Sequence, residues 1–346
     1  MEDTDSAKRH ILHRQGAALI PAIAYGDAAG LPVETRSAAF IQEKYPDGIH
    51  ELIPAKENLF FESADQPGTW SDDTQLTLAV AKALVKANGF HMETLVETHL
   101  EAYDTTPEVM HEGKLVKRGW GHSTTAAMEK LHAGVSPLES GTADGSGNGV
   151  LMKLAPLAYW QYVRHTDLRE GITQYDQLTN MTHDSAVARL TTRVHGDMLG
   201  YLLREDYDKA QFMNILEGSL ALHEFETREW GGVQPGFLRE QLSYLYGPVN
   251  TETILAATDT KGFYAPQTLA MAYGAFMAHE GNFKPAVYEA VNLGGDTDSI
   301  ASIVAAMSAF KTKEVLRMPI DHQNLEQLDH LKTVSRNLAA TALQLP

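Results

Sequence analysis

The sequence contains no cysteine among its 346 residues. Disulfides, zinc fingers and thiol catalysis are therefore excluded. Positive charge is also scarce: 28 Lys and Arg stand against 45 Asp and Glu, a net charge of −17. No basic run offsets this, so the chain should be repelled by a phosphate backbone or an anionic membrane. Neither is expected as its main partner. No uninterrupted membrane-length apolar run is present either. The most apolar early stretch, residues 16–33, is broken by Pro21, Gly26, Asp27 and Gly30 and does not read as a membrane span. Residues 1–10 are polar, carry Glu2, Asp3 and Asp5, and lack a signal-peptide layout, so a cytoplasmic location is the expectation. Common catalytic signatures are missing too. There is no phosphate loop ending in Gly-Lys-Ser/Thr, no Gly-x-Ser-x-Gly elbow and no His-Glu-x-x-His helix.

What remains is ordinary globular composition, 43% apolar and 21% charged. Helical spacing dominates. Leu19, Ile20, Ile23 and Ala24 form one apolar stripe, and Leu76, Val80, Ala83 and Leu84 a second. Ile300, Ile303, Val304, Met307 and Phe310 form a third. Residues 154–162, 186–203 and 268–279 also suit helices. Alternating strand-like runs are scarce, so the expected class is all-α. Glycine- or proline-bearing loops are expected at 26–32, 67–71, 141–149, 231–236 and 294–295. The length alone would allow two domains, but no stretch reads as a linker and no repeat is visible. One large helical domain over 1–346 is the simplest reading. The polar, helical residues after about 312 receive no function.

Two acidic clusters stand just before helices: Trp70-Ser71-Asp72-Asp73-Thr74 and Gly294-Gly295-Asp296-Thr297-Asp298-Ser299. Capping explains one oxygen in each, since an Asp or Ser at a helix start accepts a backbone N–H and acids suit the dipole. Each cluster, however, supplies two carboxylates and a hydroxyl. Crowded carboxylates repel unless they are protonated or bridged by a cation. Oxygen-only donors suit Mg²⁺, Mn²⁺ or Ca²⁺ rather than zinc. If the two helix starts converge, four carboxylates could hold two ions. Glu34 ends a third loop, and Gly145-Ser146-Gly147-Asn148-Gly149 could wrap phosphates with backbone N–H groups. His183 follows Thr182. The pairs His10/His13 and His91/His99 have no acidic ligand pattern and read as surface residues.

In order, these segments resemble the ADP-ribosylglycohydrolase family. The family's Gly-Asp-x-x-Gly-x-x-x-Glu pattern is similar to Gly26 through Glu34, and its Trp-Thr/Ser-Asp-Asp-Thr pattern to Trp70 through Thr74. Arg118-Gly119-Trp120-Gly121, Gly147 through Pro156, Thr182-His183 and Gly294 through Ser299 continue the match, which spans roughly residues 12–312. The resemblance implies an all-α fold with a cleft for two Mg²⁺ or Mn²⁺ ions. Their ligands would be Glu34, Ser71, Asp72, Asp73, Asp296, Asp298 and Ser299. Gly121, Ser146, Gly147, Asn148, Gly149 and His183 would line the ADP-ribose site. Glu34, Asp72, Asp73, Asp296 and Asp298 would be the catalytic candidates, with the acid and base among them left open.

The activity so implied is hydrolysis of the glycosidic bond between ADP-ribose and a modified protein side chain, arginine first. The partners would be an ADP-ribosylated protein and an ADP-ribosyltransferase or toxin counterpart. The alternatives are a hydrolase of serine- or nucleic-acid-linked ADP-ribose, a toxin-blocking or ADP-ribose-binding protein without turnover, and an unrelated two-cluster phosphatase.

Overall fold

The apolar periodicities resolve into a helical assembly. The structure, a computed structural model, describes residues 2–55, 58, 66–111, 114–227 and 233–345. Among them run fifteen α-helices. The first five are α1 (Glu2–Gly30), α2 (Ala38–Lys44), α3 (Asp72–Ala87), α4 (Met92–Thr105) and α5 (His122–His132). Then come α6 (Ala155–Arg164), α7 (Leu168–Asn180), α8 (Ala186–Arg204), α9 (Lys209–Thr227) and α10 (Phe237–Gln241). The last are α11 (Thr251–Ala257), α12 (Ala265–Ala278), α13 (Phe283–Asn292), α14 (Thr297–Lys311) and α15 (Leu328–Ala342). An antiparallel hairpin of β1 (Glu108–His111) and β2 (Lys114–Lys117) is the one sheet among the described residues. The short strand pattern did not announce it.

At the centre α1 packs against α14 and α15. Residues 6–33 are long and apolar enough to cross a membrane, but 89% of their most apolar stretch is buried inside the protein, the position of a core helix. Here the structure corrects the expected loop at 26–32. The helix continues to Gly30, followed by a 3-10 turn at Leu31–Val33. Gly26 and Gly30 serve close packing rather than a turn. A Cβ on Gly26 would lie 2.3 Å from the Ala301 carbonyl oxygen, and one on Gly30 2.3 Å from Thr297 backbone. Their spacing of four puts both on one helix face, so α14 can approach along it. Near Pro21, α15 docks on α1 through Ser335. Ile20 N donates to Ser335 Oγ at 3.1 Å, and Ser335 Oγ donates to the Gly16 carbonyl at 2.7 Å. These two bonds tie the C-terminal helix to the backbone of α1.

The buried apolar cluster is continuous from Leu12 to Leu343. His99 departs from its surface expectation. It is fully buried on α4, with Nδ1 2.7 Å from the Leu95 carbonyl oxygen, and its α4 partner His91 is exposed. Residues after 312 are not helical throughout, since a 3-10 turn at Ile320–Asn324 precedes α15. Of the loop expected at 231–236, residues 231 and 232 lie outside the described residues.

Candidate active site

Asp27 organises the floor of the site. It lies on the inward face of α1 and is 0% exposed. Both its oxygens lie 2.9 Å from Ser71 N, and Oδ2 also accepts from Thr74 N at 3.0 Å and Thr74 Oγ1 at 2.6 Å. These bonds fix the start of α3. Ser71 is its N-cap, accepting from Asp73 N, and Asp72 and Asp73 fill the first turn. Asp73 then reaches across to α14. Its Oδ2 accepts from Ser299 Oγ at 3.2 Å and its Oδ1 from Ser302 Oγ at 3.0 Å.

The start of α14 is built differently. Asp296 occupies the N-cap position but makes no side-chain cap bond. Instead its Oδ2 accepts from Asn148 Nδ2 at 2.6 Å. Gly294 and Gly295, both at positive φ, let the chain turn tightly against residues 36–38 and 260–261. Reciprocal bonds of 2.8 Å, from Thr35 N to the Gly295 oxygen and from Gly295 N to the Arg36 oxygen, bring Glu34 beside this turn. Asn58 Nδ2 donates to Glu34 Oε2 at 2.8 Å.

The two helix starts therefore converge. Asp72, Asp73, Asp296, Asp298, Ser299 and Glu34 line one cavity of about 250 Å³ with Gly121, Gly147, Asn148, Gly149 and His183. Ligand oxygens of Glu34, Asp296 and Asp298 lie within 4.8 Å of one another. Asp298 Oδ1 is buried and has no hydrogen-bond partner. Burial raises the proton affinity of every carboxylate here. For Asp72 and Asp73 the charge of Asp27 adds to it, and for Asp298 that of Glu34. For Glu34 the charge of Asp296 adds to it. Such a group is stable only if protons or cations offset the repulsion.

Two expected site residues do not line the cavity. Ser71 is turned toward Asp73 as a cap, and Ser146 commits its carbonyl to Ala265 N at 2.9 Å, pinning the glycine loop to α12. In that loop Gly145 and Asn148 N–H are spent on Thr142 and Phe263 carbonyls, which narrows the backbone available for phosphate. His183 Nδ1 meets Thr182 Oγ1 at 2.9 Å, and burial lowers its pKa to about 3, so the ring is neutral.

Several lining residues were not anticipated. His122, Ser123 and Thr124 open α5, whose N-cap Gly121 makes no side-chain cap bond, and Met152 and Phe263 complete the wall. Asp27 and Lys153, which fall inside the Gly26–Glu34 and Gly147–Pro156 segments, are fully buried charges that do not line the cavity.

The sequence profile of the ADP-ribosylglycohydrolase family matches residues 14–340. The chain belongs to the ADP-ribosylglycohydrolase family. This family member is 24% identical over 291 residues to an uncharacterized protein of Archaeoglobus fulgidus, covering 84% of the chain and 85% of the relative. It is 23% identical over 284 residues to the ADP-ribosylarginine hydrolase Tri1 of Serratia proteamaculans, covering 81% of the chain and 66% of Tri1. A solved ADP-ribosylglycohydrolase-related protein complex matches the glycohydrolase fold seen here with a TM-score of 0.69 and 25% identity. The match covers 96% of this chain and 99% of that one.

Proposed function

We propose that the chain is a divalent-cation-dependent hydrolase that cleaves the N-glycosidic bond between ADP-ribose and an arginine side chain, reversing mono-ADP-ribosylation. The observation that carries this reading is the meeting of Glu34, Asp296 and Asp298 oxygens within 4.8 Å in one cleft. The donors fit a hard cation: all are oxygens, and the buried Asp298 Oδ1 lacks any protein partner. Glu34, Asp72, Asp73, Asp296, Asp298 and Ser299 would hold two Mg²⁺ or Mn²⁺ ions, with Ser71 supporting Asp73 from the cap. When bound, such ions would orient the ribose hydroxyls and lower the pKa of a water they hold.

The protein's own groups do the rest. The uncapped first turn of α5, with Gly147 and Gly149, offers backbone N–H groups to the pyrophosphate in a chain that otherwise repels it. Asn148 and Asn58 orient Asp296 and Glu34. In the reaction the bond from the anomeric carbon to the guanidine nitrogen breaks, and water oxygen bonds to that carbon. The water's proton passes to a carboxylate, and the leaving nitrogen takes up a proton. His183, held neutral by burial, would be a hydrogen-bonding wall residue, and proton transfer would fall to the carboxylates.

Arginine as acceptor is supported by the likeness to a relative named for that activity. The partners on this reading are an ADP-ribosylated protein and the transferase that makes it. A linkage panel tests it: arginine-, serine- and nucleic-acid-linked ADP-ribose, each with Mg²⁺ or Mn²⁺ and with chelator. Metal-dependent release from the arginine conjugate is expected. Release from another linkage alone moves the acceptor, and tight ADP-ribose binding with no release under any metal overturns the enzymatic reading.

A further inference from the structure

The strip of wall beside Asp72 is held from behind. Gly119 and Gly121 line the cavity, while Trp120 between them does not. The backbone passes close to the carboxylate: Gly119 sits at φ +81°, and a Cβ there would lie 3.1 Å from Asp72 Oδ1. Gly121 leads into α5 as its N-cap, and a Cβ on it would meet nothing within 4 Å. Trp120 anchors the strip. It is buried, and its ring stands edge-on to Tyr103 of α4 with centroids 5.1 Å apart. Its Nε1 donates to Gln75 Oε1 at 2.8 Å, and Thr106 Oγ1 lies 2.9 Å from the same oxygen. An indole N–H can only donate, and when buried it needs an acceptor. Gln75 belongs to α3, three residues after Asp72, and does not itself line the cavity. α5 packs on α4, and α4 on α3. The Trp120–Gln75 bond adds a direct tie between the strip that starts α5 and the helix that carries Asp72 and Asp73.

Resting on the function proposed above, we infer that Gln75 is a positioning residue. Through Trp120 it fixes the first turn of α5 against Asp72 and Asp73, where that turn's backbone N–H groups meet the pyrophosphate of the substrate. Without the acceptor, the buried indole N–H is left unsatisfied and the strip shifts toward another partner or water. Gln75 reaches the cleft only through this bond. Its loss therefore costs substrate affinity and spares both cation binding and the chemical step, because the pyrophosphate is held alike before and during bond cleavage.

Steady-state kinetics of the full chain on one arginine-linked ADP-ribose conjugate at saturating Mn²⁺ test this. Gln75→Met removes the acceptor at similar length. KM should rise by about tenfold while kcat stays within about twofold, and Mn²⁺ affinity measured by calorimetry should not change. Trp120→Phe keeps an aromatic ring, removes the N–H and should raise KM by a similar factor; it gives an independent reading should Gln75→Met fail to fold. The double variant should be little worse than either single one, because both remove the same bond. A merely structural role would lower Tm without this split. Unchanged KM in Gln75→Met, a fall in kcat at constant KM, or factors that multiply in the double variant each overturn the inference alone. A wild type that binds ADP-ribose without releasing it overturns the enzymatic reading, and the inference then stands or falls on a tenfold loss of ADP-ribose affinity in Gln75→Met. A wild type that neither binds ADP-ribose nor releases it overturns both.

Discussion

Two cavities in this molecule invite comparison. The larger, about 490 Å³, lies among α6, α7, α8 and α9, where Gly171, Gly196, Gly200 and Gly218 leave room. Its half-buried carboxylate is paired: Asp197 Oδ2 accepts from Ser219 Oγ at 2.7 Å and lies 2.9 Å from His223 Nε2. The smaller, about 250 Å³, is lined by five carboxylates, Glu34, Asp72, Asp73, Asp296 and Asp298. Volume records where small side chains leave space. Chemistry resides where charge is left uncompensated, because only there does a ligand relieve a cost the fold already carries.

The comparison can be broken by substitution. Asp298→Ala or Asp296→Ala should lower ADP-ribose release by about a thousandfold or more, because a ligand of the cation and its charge are both lost. Asp197→Ala, in the larger cavity, should change release by less than about twofold. The reverse order, measured as kcat/KM on one arginine-linked substrate, would put the site in the wrong cavity. A smaller effect is expected one bond further out. Asn148→Ala frees Asp296 and should weaken Mn²⁺ affinity by about 10- to 100-fold, whereas Ser219→Ala should leave it unchanged; calorimetry checks both.

Thermal stability sharpens the contrast further. Asp27 and Asp296 have their pKa raised to about 6, and Glu34 to about 8, chiefly by burial. The unfolded chain ionises these groups near pH 4, so the folded state binds more protons between those values. Metal-free protein should therefore lose Tm as pH rises from about 5 to 7, and saturating Mn²⁺ should remove that slope. Above about 7 Lys153, whose pKa burial lowers to about 7, contributes the opposite slope. A metal-free Tm that climbs through the lower window would contradict the buried carboxylate cluster. The smallest effect belongs to the cap: Ser71→Ala should cost about 0.5–2 kcal/mol in denaturant unfolding while release by the folded fraction persists.

The all-α class was legible because apolar spacing along residues 76–84 and 300–310 matches a buried helix face. The two acidic clusters were legible because each places more oxygens at a helix start than a cap uses. Capping and cation binding proved separable only in space. Ser71 is a true cap, while Asp296 forgoes a cap bond and is held by Asn148, whose position 148 residues away no local pattern encodes. The stretch at 26–32 misled because glycine marks both turns and close helix crossings, and only the contact with α14 distinguishes them. His99 misled because its ring is fully buried with Nδ1 on the Leu95 carbonyl of its own helix, a burial that no acidic ligand pattern marks.

Anomalous diffraction from crystals soaked in Mn²⁺ tests the central claim most directly. The account predicts a strong peak within about 2–2.5 Å of oxygens from Glu34, Asp296 and Asp298. Manganese bound only elsewhere, with these carboxylates left bare at saturating metal, would contradict it.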